Sequence, residues 1–144
     1  MTTSNKPSVL FWIVASLALL WNLVGLSEFI RSAFIVESYV HQYTDLQMDA
    51  IRNSPIWSLV LFGISTITGV LGGLFLLLRK KKAILLFAIS LFTVLFHTLG
   101  TILLLDGIAI FGIGQGLIFP LVILLLDLFF YWFSKWSYRK GWLQ

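Results

Sequence analysis

The chain has 144 residues, of which 59% are hydrophobic and 11% charged. A soluble domain carries about 25% charged residues, and a chain of this size buries only about 68% of its unfolded surface, so lipid rather than water must solvate the remainder. The net charge of +4 is clustered beside apolar runs, which argues against a nucleic-acid surface, and the absence of cysteine excludes disulfides, thiolate metal sites and cysteine nucleophiles.

In chain order, Lys6 precedes an apolar run in which Ser16-Leu17-Ala18 has the small-x-small form of a signal-peptidase site. The apolar character continues past Ala18 to Leu26, long enough to span, which favours an uncleaved first crossing over residues 8–30. The segment 31–54 follows as the sizeable extramembrane loop. Thr44-x-x-Gln47 has the form of a capping box and predicts a short amphipathic helix over residues 45–53. Leu46, Ala50 and Ile51 of that helix would rest on the membrane surface. A packed cap over the bundle is the favoured role, ahead of a partner-binding loop.

Further spans are predicted at 55–78, 83–105 and 112–134. The start of the last is blurred by Asp106-Gly107 and by Gly112-Ile113-Gly114-Gln115-Gly116, a turn signal. Those glycines resemble part of a nucleotide-binding loop but lack the preceding strand and the following glycine. The runs are too long and too uniformly apolar for barrel strands. The expectation is an all-α polytopic protein: a single membrane domain over 1–144, built as a four-transmembrane-helix bundle with a short amphipathic helix in the first outer loop.

Orientation follows from the basic residues. Eight of the ten Lys and Arg lie in the N-terminal tail (Lys6), the 79–82 loop and the C-terminal segment (Lys135, Arg139, Lys140), which four spans bring to one side. That side is expected to be cytoplasmic, so both termini are too. Tyr131, Trp132, Trp136, Tyr138 and Trp142 are expected to form an aromatic belt where the fourth helix leaves the membrane.

Small and polar residues gather where membrane helices meet. The first span has Ala15, Ala18, Asn22 and Gly25 at helical spacing, and the second has Ser58, Ser65, Gly69 and Gly72, with Gly73 completing a small-xxx-small contact motif. The third has Ser90, Thr93, His97 and Thr101; the fourth has Gly116, Pro120, Ile123, Asp127, Tyr131 and Ser134. Counting about 1.5 Å per residue from the cytoplasmic ends puts Asp127 and Ser90 in one layer, level with Gly72 and Ala15. Asn22, Ser65, His97 and Pro120 fall in a second, deeper layer.

Asp127 is the most informative residue. A carboxylate in hydrocarbon costs about 3 kcal/mol, so it needs water, a partner or a proton. It is a proton- or cation-coupling group, a protonated or hydrogen-bonded packing residue with Tyr131 one turn on as a donor, or a carboxylate reached by water from the nearby cytoplasmic surface. His97 is a proton relay or an interhelical hydrogen-bond donor. With no His-Glu-x-x-His motif or paired histidines, and His41 alone in the outer loop, no metal site or cofactor is expected. Asp127, His97, Asn22 and Tyr131 are the binding or coupling candidates. Ser65, Gly69, Gly72 and Gly73 are the packing candidates. No nucleophile–base pair stands at helical spacing, so no catalytic residue is assigned and no enzyme is expected.

The segments Asn5-Lys6-Pro7-Ser8-Val9-Leu10-Phe11-Trp12, Leu20-Trp21-Asn22-Leu23-Val24-Gly25, Leu77-Leu78-Arg79-Lys80-Lys81-Lys82-Ala83 and Lys140-Gly141-Trp142-Leu143 resemble a group of small bacterial inner-membrane proteins that often carry the label sugar transporter. The resemblance implies a four-helix protein of the bacterial inner membrane and assigns no site. The four-helix dimers of the small multidrug-resistance family carry a carboxylate mid-span in the first helix; this chain departs from them, with Asn22 there and Glu28 at the outer rim. The leading expectation is a small transporter-like or transport-accessory protein in the lipid bilayer, as a homodimer or beside another membrane protein, without nucleic acid. The alternative is a non-catalytic membrane subunit or scaffold.

Overall fold

The structure is a computed structural model and describes residues 6–35 and 37–144. Among these, four helices are long and apolar enough to cross a membrane. Helix α1 (Val9–Ala33) begins where the Ser8 hydroxyl accepts the Phe11 N–H at 3.3 Å. Two short helices follow, α2 (Glu37–Val40) and α3 (Asp45–Arg52). Helix α4 (Ile56–Leu77) starts after Pro55, whose fixed φ of −63° suits a helix entry. Helix α5 covers Lys82–Leu104.

The fourth crossing is composite: α6 (Gly107–Ile113), a π-helical turn (Gly114–Ile118) and α7 (Phe119–Arg139). Gly112, at φ 75° and ψ 173°, breaks the helix in a conformation closed to other residues. Pro120 has no N–H to give the Gly116 carbonyl, and the wider turn before it is the local response. Gly116 lies against the Gly107 carbonyl, where a Cβ would overlap backbone. The first three crossings lie close to the spans read from the sequence, whereas the fourth begins at Gly107 rather than 112 and runs past Ser134 to Arg139. Lys135 and Arg139 end an apolar run without ending a helix, because both are good helix formers and both are exposed.

The segment between the first two crossings packs as a cap on one end of the bundle. Thr44 and Gln47 form the reciprocal capping box, with Gln47 N–H to Thr44 Oγ1 at 3.4 Å and Thr44 N–H to Gln47 Oε1 at 3.1 Å. Met48 is buried, Gln47 Nε2 donates to the Ile110 carbonyl at 3.3 Å, and α3 packs on α6. Leu46 points away, 65% exposed. Helix α2 went unread because one turn carries no periodicity.

Helix α4 packs against both α1 and α5, and α5 packs against α7. Long aromatic side chains close the α1–α7 side at the basic end: Phe11 stacks on Phe133 at 6.1 Å and meets Trp142 edge-on at 5.6 Å. Helices α4 and α7 both end there in Schellman turns. Lys80 N–H reaches Phe75 O at 2.8 Å with Arg79 at φ 58°, and Trp142 N–H reaches Ser137 O at 3.1 Å with Gly141 at φ 73°. The segments beyond the turns then pair: Gln144 N–H donates to Arg79 O at 2.7 Å, Lys81 N–H to Gln144 O at 2.8 Å, and Arg79 Nε to Trp142 O at 2.8 Å. Trp142 is therefore only 9% exposed, a core residue rather than part of the expected belt, while Trp132 and Tyr138 remain exposed at the rim.

Candidate functional site

The polar stripes converge midway along the bundle. Asp127 of α7 is 2% exposed and Ser90 of α5 is 1% exposed, with Ser90 Oγ 2.7 Å from Asp127 Oδ2. The same Ser90 Oγ lies 3.0 Å from the backbone carbonyl of Ser65 on α4. Asn22 of α1, also buried, donates through Nδ2 to the Ala18 carbonyl at 2.8 Å. Its Oδ1 lies over Gly69, where a Cβ would overlap it and would stand 3.3 Å from Ser90 Oγ. Asn22, Ser65, Gly69, Ser90 and Asp127 thus form one polar layer drawn from all four crossings.

Two expectations are corrected. The partner of Asp127 is Ser90, not Tyr131; the Tyr131 ring lies under Lys135 Nζ, 5.3 Å from its centroid. Residue i+4 on one helix is displaced along the axis, whereas α5 faces Asp127 directly. The two layers also merge, because Asn22 and Ser65 stand with Asp127 and Ser90. Measured from the end of α7 at Arg139, Asp127 lies roughly 18 Å along the helix, deeper than a count from Ser134 gives.

His97 stands apart. Its Nε2 is 3.1 Å from Ser58 Oγ and its ring stacks on Phe62 at 5.6 Å, nearer the capped end. On α5 the buried face is Ala83, Phe87, Ser90, Val94 and Thr98, so Thr93, His97 and Thr101 sit at its edge. Pro120 stands in the first turn of α7 and is half-buried.

The packing candidates Ser65, Gly69, Gly72 and Gly73 are all buried on α4. A Cβ on Gly73 would come within 2.8 Å of Leu19 Cα, and one on Gly72 within 3.0 Å of the Phe87 ring. Gly69 and Gly73 thus let α1 approach α4, which brings Asn22 into the layer. Ser90 was the missed member of the site. It shares a stripe with His97 and a depth with Asp127, a signal the sequence contained.

No group of three or more His, Cys, Asp or Glu is placed to hold a metal among the described residues. An open cleft of about 400 Å³ runs between α1 and α7, with apolar walls that include Leu17, Trp21, Leu126 and Phe129. Asn22 and Asp127 do not line it. It is an open apolar cleft on the flank of the bundle, separate from the polar layer. The chain matches no protein-family model, no curated protein and no solved structure.

Proposed function

We propose that this chain is a small transporter-like or transport-accessory protein of the bacterial inner membrane, with both termini cytoplasmic, in which Asp127 is the coupling group. The observation that carries this reading is a titratable carboxyl enclosed where all four crossings meet, hydrogen-bonded across helices to Ser90. A carboxyl in such a place costs free energy that apolar packing would not, and intramembrane carboxyls of this kind mark ion and proton routes. The monomer holds a closed layer and little room for a solute path, which favours a homodimer or a larger partner as the working form.

The test is reconstitution of the purified protein in liposomes, with a panel of solutes and an imposed pH gradient. Wild type is expected to give a pH-dependent flux that Asp127→Asn abolishes while the protein stays folded. Flux unchanged in Asp127→Asn would remove Asp127 from the mechanism.

The second reading, a non-catalytic membrane subunit or scaffold, is favoured by the apolar α1–α7 cleft, which could receive a helix of another membrane protein. Stable co-purification with a larger complex, together with silent liposomes, would select it.

A further inference from the structure

The inference rests on the reading of Asp127 as a coupling group and specifies what it binds and how. A serine hydroxyl has one proton to donate. Ser90 Oγ has two oxygens within hydrogen-bond distance, Ser65 O at 3.0 Å and Asp127 Oδ2 at 2.7 Å. The Ser65 carbonyl can only accept, and so can an ionised carboxylate. Two separate full-strength hydrogen bonds, rather than one hydroxyl proton shared between two acceptors, require that Asp127 carries a proton and donates it to Ser90 Oγ while Ser90 donates to Ser65 O.

We propose that Asp127, Ser90 and the Ser65 carbonyl form a single proton-binding site in which the Ser90 hydroxyl is the moving part. With the proton bound, the chain runs from Asp127 O–H to Ser90 Oγ and from Ser90 O–H to Ser65 O, tying α7 to α5 and α5 to α4. When Asp127 gives its proton to water, the Ser90 hydroxyl turns to the carboxylate, where a charge-assisted bond is stronger. The Ser65 carbonyl then loses its bond from α5. One proton leaves, the Asp127 O–H is the one covalent bond broken, and the lost Ser90–Ser65 hydrogen bond makes the α4–α5 contact report the change. Gly69 adjoins this point, so α1 feels it through Asn22.

The neighbours leave Asp127 as the group that titrates. Helix α1 presents Asn22, α4 presents Ser65, and α5 presents Ser90, with His97 two turns away on Ser58. On α7 itself, Tyr131 and Lys135 face each other toward the basic end. Ser90 is a positioning residue here, since it acts through the carboxyl.

Infrared difference spectroscopy on the full-length protein, with isotope-labelled serine carbonyls, reads both halves of the site as pH is varied. Wild type is expected to show an acid carboxyl band, absent in Asp127→Asn, that converts to carboxylate together with a shift of one labelled serine carbonyl. In Ser90→Ala the acid band should move to higher frequency and the carbonyl shift should vanish. Ser90→Thr, which keeps the hydroxyl, should restore both. If Ser90→Ala does not fold, the paired shift in wild type remains the test. An acid band that titrates with no serine carbonyl following it overturns the role of Ser90 and leaves Asp127 as a proton carrier. A carboxyl that never exchanges its proton while the protein is folded overturns both.

Discussion

Asp127 is held by a neighbour on another helix, and its substitutions separate charge from shape. Asparagine has the same outline and can donate its Nδ2–H to Ser90 Oγ as the acid does. Asp127→Asn should therefore change stability by less than about 1 kcal/mol, measured by denaturant unfolding in mixed micelles. Asp127→Leu removes the interhelical bond, and a loss of roughly 1–2 kcal/mol is expected. His97→Ala deletes the Ser58 contact and the Phe62 stack away from the layer, so it should cost about 1 kcal/mol and leave the pH dependence intact. The sequence made Asp127 conspicuous because a carboxyl stands out in an apolar run. Depth counting sets Ser90 level with Asp127, yet Tyr131 stands as the expected donor, because helical spacing describes one helix and the partner lies on another.

At the scale of elements, the glycines of α4 set how closely its neighbours approach. A Cβ at Gly73 meets the backbone of Leu19, which cannot turn aside, whereas one at Gly72 meets a ring that can move. Gly73→Ala is therefore expected to cost about 1–3 kcal/mol and Gly72→Ala less. Gly114→Ala, with nothing within 4 Å of the added atom, serves as the control for the series. Equal effects at Gly73 and Gly114 in thermal unfolding would contradict the packing. The basic end offers a second contrast. Arg79 accepts a left-handed backbone and holds the Trp142 carbonyl with its guanidinium. Arg79→Ala loses the bond and keeps the strain, while Arg79→Gly loses the bond and relieves about 1 kcal/mol. The glycine variant should unfold at the higher temperature of the two. The capping box of α3 was legible because Thr44 and Gln47 are neighbours in the chain. The clasp between Arg79 and Trp142 was not, since 63 positions separate them.

For the whole molecule, the crossings were legible because lipid imposes one rule on every spanning segment: apolar length with all backbone groups satisfied internally. The order of helices around the bundle was not, because it depends on side chains that meet across gaps, such as Phe11 with Phe133 and Trp142. The proposed orientation has its own check. Reporter fusions at Lys82 and Asn53 should give opposite signals, with Lys82 cytoplasmic, and a periplasmic signal at Lys82 would reverse the bundle. The claim that joins these scales is that the four crossings enclose one exchangeable proton. Potentiometric titration of the purified protein against Asp127→Asn tests it most directly. Over the pH range in which both stay folded, wild type is expected to exchange one proton more than the variant, and superimposable titration curves would contradict the account.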